Sequence, residues 1–152
     1  PCSVSMDFDY ALRNPEVCTG QLCALTPFSE IIIVQEDRYV PVQSVWFDLG
    51  KAELKAWARQ MLDKAAAEMK RDPGAVFYGA GFTCTRGTDA FNVQLSMRRA
   101  LAAKDYLVRE HGIDPGRIVV RWFGESAPAA PNDTEAGRRL NRRLEYLVMP
   151  GR

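Results

Sequence analysis

Two long stretches of helical periodicity, each followed by a strand-length apolar run, restrict the folds open to this chain. From Lys51 to Arg71 the apolar residues Leu54, Trp57, Ala58, Met61, Leu62, Ala65 and Met69 recur every three or four positions, with Lys, Arg and Glu between them. From Thr88 to His111 the inward side is Leu95, Ala100, Ala103 and Leu107, and its small Ala residues permit close approach to a sheet. Asp72-Pro73-Gly74 stops the first helix and Gly112 the second. Strands are expected at Val45 to Leu49, Ala75 to Phe82, Arg117 to Phe123 and Arg143 to Val148. Thr134 caps a short third helix through Leu140, with Glu135 in its first turn. The order β-α-β-α-β-α-β predicts an α/β (α+β) two-layer sandwich with a mixed sheet. The Met and Trp stripe of the first helix is read as core packing rather than a binding groove.

The 152 residues fit one domain, 44–152, preceded by an arm, 1–43. Residues Pro1 to Pro27 are irregular, with one turn of helix near Phe8 to Leu12. Ser29 to Gln35 and Tyr39 to Gln43 are β-rich and are read as a hairpin, its second run an edge because of Pro41. Net charge is +1, from 20 basic and 19 acidic residues that are interspersed, so a phosphate-backbone binder is not expected. The run Ile31-Ile32-Ile33-Val34 is far short of a membrane span. No signal peptide is visible, and the chain as given reads as a mature or trimmed form.

The four Cys are consistent with an oxidising compartment. Cys18 and Cys23 enclose a short turn and are the disulfide candidates; Cys84 then pairs with Cys2 or stays free. Cys2 is also a lipidation candidate, although Pro1 is a poor residue before an acylated Cys. The Cys-x-x-x-x-Cys spacing lacks the partners of a zinc site, so no metal is expected, and no cofactor.

Chemistry concentrates where the second strand runs through a polar, Gly-containing loop into the second helix. Loop amides and a helix N-terminus converge at such an edge, a usual place for a small-ligand site. Asn92 and Arg99 lie about two helical turns apart on one face and can reach the same object. Arg99, beside an apolar face, is either a structural ion pair with Asp89, Asp48 or Glu125, or a bidentate clamp on a ligand carboxylate. Asp48 either caps the loop after the first strand or faces the ligand. Arg142 and Arg143 alternate, so only one can face the site. A catalytic Cys84 would need a base, and the chain's one His, His111, lies roughly 30 Å away along the helix, so an enzyme is not expected.

The residues Gly81-Phe82-Thr83, Gly87, Phe91-Asn92, Leu95-Ser96 and Arg99-Ala100 resemble the signature of the C-terminal domain of the outer-membrane protein A family. Matches in the same order follow at Tyr106-Leu107, His111-Gly112-Ile113, Gly124-Glu125-Ser126, Asn132 and Gly137-Arg138-x-x-Asn141-Arg142-Arg143-Leu144-Glu145. Upstream, Trp46-Phe47-Asp48 and Lys51-Ala52-x-Leu54 resemble the family's first strand and its approach to the first helix. The resemblance covers Val42 to Met149.

The resemblance implies an OmpA-like fold that binds peptidoglycan without catalysis, in the periplasm at the outer membrane. Arg99 would hold a diaminopimelate carboxylate, Asn92 and Thr83 would orient the stem peptide, and Asp48 and Arg143 would line the pocket. One departure stands out. Cys84 occupies the position of the family Asp that takes the ligand ammonium, and a neutral thiol cannot do this. The rival expectation is therefore an OmpA-like subunit of a secretion or motility machine, which has lost the wall and contacts other envelope subunits through residues 1–43.

Overall fold

The structure, a computed structural model, describes residues 40–151. The expected disulfide Cys18–Cys23, lipidation at Cys2 and the helical turn and first hairpin run of the arm lie outside the described residues.

The described chain forms β1 (Gln43–Trp46), α1 (Ala56–Arg71), β2 (Val76–Gly81), α2 (Asp89–His111), a 3-10 turn (Pro115–Arg117), β3 (Ile118–Trp122), α3 (Glu135–Asn141) and β4 (Arg143–Met149). The sheet order is β1-β4-β2-β3. β2 runs parallel to β3, while β4 is antiparallel to both β1 and β2, so the sheet is mixed as expected. Helices α1 and α2 cover one face, where Val45, Phe77, Leu144, Tyr146 and Val148 meet Ala58, Leu62, Met69, Ala100, Ala103 and Leu107. Alternation sends Tyr78, Ala80, Phe82 and Leu147 to the other face, onto which Val40, Val42 and Phe123 pack.

Local chemistry sets the helix ends. Thr134 Oγ1 accepts from Gly137 N at 3.0 Å, the expected N-cap, and Thr88 Oγ1 accepts from Phe91 N at 3.1 Å, so both helices start on a threonine cap. Gly112 ends α2 in the left-handed region, φ 66°. The start of α1 differs from expectation. Residues 51–55 are not helical, and no side chain caps Ala56. The carbonyls of Asp48 and Lys51 are turned toward Arg99 instead, which removes them from any helical turn at that point.

Trp57 also departs from the expected inward stripe. It is exposed and stacks on Trp46 of the edge strand at 5.7 Å, whereas its neighbours Ala58, Leu62, Ala65 and Met69 are buried. Gly81 marks the closest approach of sheet and helix: a Cβ there would lie 2.1 Å from the Ser96 carbonyl oxygen. With no side chain between them, the end of β2 and the middle of α2 meet backbone to backbone, and this fixes the site that follows.

Candidate functional site: a cationic cleft at the end of β2

β2 leads through Phe82, Thr83 and Cys84 into a loop whose positive-φ Gly87 (96°) precedes α2. A cavity of about 210 Å³ opens here, lined by Leu49, Gly50, Thr83, Cys84, Arg86, Gly87, Phe91, Asn92, Leu95, Arg99 and Arg142. Four residues singled out from sequence thus converge on it: Thr83, Cys84, Asn92 and Arg99.

Arg99 is fully buried, as α2 carries it under the loops. Its Nε donates to Lys51 O at 2.9 Å, Nη1 to Phe82 O at 2.8 Å and Nη2 to Asp48 O at 3.1 Å. The guanidinium also lies 5.1 Å from the Phe47 ring centroid. Among the described residues no carboxylate pairs with it, so the expected alternatives of Asp89, Asp48 or Glu125 are not its partners. Carbonyls take their place. A guanidinium has five N–H donors, so three carbonyls leave one N–H on each η nitrogen. Burial lowers its pKa to about 10, with Cys84 opposing the fall and Arg142 and Arg98 adding to it, and it stays cationic at neutral pH.

Of Arg142 and Arg143, it is Arg142 that lines the cleft, with Arg99 and Arg86. Arg142 Nε donates to Phe47 O at 3.3 Å and Nη2 to Glu135 Oε1 at 3.0 Å, while Nη1 is buried without a partner. Arg142 is also the first cause of the lowered pKa of Glu135. Arg143 is the first residue of β4, and the period of two turns it to the face away from α1 and α2. There it lies 3.9 Å from the Phe82 ring centroid and donates through Nε to Glu145 Oε1 at 2.9 Å. The expectation that Arg143 lines the pocket is corrected accordingly.

Asp48 does not line the cleft either. Its carboxylate bridges Lys55 at 2.7 Å, and that hydrogen bond holds its pKa below the usual value. Its carbonyl accepts from both Lys51 N and Arg99, so the residue organises the loop after β1. Asn92 is buried, with Nδ2 3.5 Å from Glu125 Oε2. Thr83 N donates to Gly124 O at 2.8 Å, but its buried Oγ1 has no partner. Cys84 is a buried free thiol.

Supports behind the cleft escaped sequence reasoning. Ser96 Oγ accepts from Gly124 N at 2.9 Å, and Asn141 Oδ1 accepts from Ala129 N and Ala130 N at 2.7 and 3.0 Å. These side chains hold the Pro-rich loop in place of regular structure. The lining residue Arg86 was not singled out from sequence, and neither were Leu49 and Gly50 as part of a site.

A mixed four-stranded sheet with two helices on one face and a cationic cleft at a strand–loop–helix edge defines a small α/β sandwich domain with a candidate ligand site. Its class is settled by comparison: the model of the OmpA family matches residues 46–142, and the chain belongs to that family. Outer membrane porin F of Pseudomonas aeruginosa is 39% identical over 120 residues, covering 79% of this chain and 32% of the porin. Outer membrane protein A of Bordetella avium is 40% identical over 107 residues, covering 70% of this chain and 55% of that protein. The chain therefore spans only part of the length of these relatives. The crystal structure of the peptidoglycan-associated lipoprotein from Burkholderia pseudomallei superposes with a TM-score of 0.66 at 26% identity, covering 70% of this chain and 90% of that one.

Proposed function

We propose that this domain attaches a cell-envelope protein non-covalently to peptidoglycan, through the cleft at the end of β2. The observation that carries the reading is the buried Arg99, held by three carbonyls with one N–H left on each η nitrogen, at the wall of an open cavity. A fork fixed in this way binds a stem-peptide carboxylate with little further loss of side-chain freedom. Likeness to a peptidoglycan-associated lipoprotein supports the ligand class. Arg142 supplies a second cation, and Thr83 and Asn92 orient the peptide.

The domain acts by binding rather than by chemistry, in the periplasm at the outer membrane. Among the described residues no helix is long and apolar enough to cross a membrane. In this reading the residues that lead into β1 serve as an arm, with Cys2 as a lipid attachment point and Cys18–Cys23 as a disulfide, and join the domain where Val40 and Val42 pack on the sheet and Gln43 opens β1. Single contacts of this kind are weak, so firm anchoring depends on several copies or an attached assembly.

A thiol, Cys84, rather than a carboxylate in the cleft favours a second reading, an OmpA-like docking subunit of an envelope machine that contacts partners through the arm. Co-sedimentation with Gram-negative sacculi decides between them. The wall reading expects the wild type to pellet and Arg142→Ala, checked for folding by circular dichroism, to pellet less. Wild type that stays in the supernatant overturns it.

A further inference from the structure

Three arginines, Arg86, Arg99 and Arg142, line the cleft, and no carboxylate among the described residues does. Acids close to the lining are engaged by other groups, Asp48 by Lys55 at 2.7 Å. Glu135 binds Arg142 and Arg138 at 3.0 and 3.1 Å, and Glu125 is 3.5 Å from Asn92 Nδ2 without lining the cavity. The remaining polar lining residues, Thr83, Cys84 and Asn92, bring no carboxylate. Two lining residues each bury a side-chain atom that has no hydrogen-bond partner among the described residues, the donor Arg142 Nη1 and the hydroxyl Thr83 Oγ1. An unpartnered donor calls for an acceptor, and an unpartnered hydroxyl can accept an N–H. Arg142 and Arg99 both line the cleft and repel one another, a cost that a bound anion relieves.

We infer that the cleft takes a carboxylate whose neighbouring nitrogen is acylated and uncharged, in preference to a free amino-acid zwitterion. This rests on the wall-binding reading above and specifies which wall peptides the site selects. A free ammonium placed beside the carboxylate would face Arg99 and Arg142 with no acid to hold it. An amide N–H at the same place carries no charge, and Thr83 Oγ1 can accept it. Two wall groups share this chemistry: a diaminopimelate residue cross-linked through its side-chain amine, and the C-terminal alanine of a stem peptide.

The test titrates the isotope-labelled chain with three probes, following the amide signals of Thr83, Cys84 and Asn92. They are meso-diaminopimelate, its N,N′-diacetyl derivative, and N-acetyl-D-alanyl-D-alanine. At least one acetylated probe is expected to bind about tenfold or more tightly than free diaminopimelate, the scale of one charge-assisted contact. The tighter of the two identifies the source, cross-link or chain end. Cys84→Asp is expected to reverse the order, since its carboxylate can take the ammonium; the wild-type comparison stands even where this variant folds poorly. Free diaminopimelate binding as tightly as both acetylated probes overturns the inference. If the chain still pellets with sacculi in that case, wall attachment survives and only the selectivity falls. If neither sacculi nor any probe binds, both fall.

Discussion

Replacing Arg99 by alanine is predicted to damage the fold before it reports on ligand binding. The side chain ties three separate pieces of chain together: Lys51 and Asp48 after β1, Phe82 at the end of β2, and α2 itself. Without it, Asp48 O keeps the donor Lys51 N, while the carbonyls of Lys51 and Phe82 lose the arginine. Each orphaned carbonyl costs about 1–3 kcal/mol, and the contact with Phe47 adds about 0.5–1 kcal/mol. Relief from burying a charge, evident in the lowered pKa of Arg99, offsets part of this. A net loss of about 3 kcal/mol is expected, roughly 10 °C in Tm for a domain of this size. Thermal unfolding by circular dichroism measures it, with urea unfolding as a second determination. Arg99→Lys, which keeps a cation but cannot span three carbonyls, should fall between wild type and alanine. A Tm for Arg99→Ala within about 2 °C of wild type would refute the claim that this guanidinium pins the loops.

Further outcomes follow from other parts of the fold. Gly81→Ala places a methyl group 2.1 Å from Ser96 O and should cost about 1–3 kcal/mol in urea unfolding; an unchanged midpoint contradicts the close packing of β2 on α2. Arg143→Met leaves Glu145 buried and unpaired, an expected loss of about 3–5 kcal/mol, and adding Glu145→Leu should restore most of it. If the double variant is no more stable than the single, Glu145 does not depend on Arg143. Asp63 accepts from Tyr106 Oη and pairs with His111 Nε2, both at 2.6 Å, and the Tyr106 hydrogen bond, then that from His111, holds its pKa below the ordinary 3.8. Its folded pKa is depressed, so its stabilisation is present above the unfolded value and is lost as pH falls through the folded one. The Tm gap between wild type and Asp63→Asn should therefore be open at neutral pH and narrow as pH falls below the ordinary 3.8; an equal gap at both ends contradicts this.

Much of the fold was legible because two long amphipathic helices and four apolar runs leave few other arrangements. Thr88, Thr134 and Gly112 marked their helix ends through chemistry that is local in sequence. The start of α1 was not legible, since it depends on Arg99, 48 residues away from Lys51, claiming carbonyls that a helix would otherwise use. Trp57 misled for a related reason: periodicity marks an apolar face, but only the edge position of β1 and Trp46 shows that this part of the face is open. At the site, Arg142 and Arg143 part because Arg142 is the C-cap residue of α3 and Arg143 the first residue of β4, a boundary that the alternation argument did not resolve. Thr83, Asn92 and Arg99 could be brought together from helical spacing and the strand–loop–helix edge. The roles of Ser96 and Asn141 stayed hidden because their partners are backbone amides of a loop without periodicity.

The most direct test of wall recognition is to map soluble, enzymatically released peptidoglycan fragments onto the labelled chain by amide chemical shifts. The account predicts that shifts concentrate at Thr83, Cys84, Gly87 and Asn92 and grow saturably with fragment concentration, while Trp46 and Trp57 on the exposed edge stay still. Shifts centred on that edge, or none at millimolar fragment, would contradict it and turn attention to the arm and a protein partner.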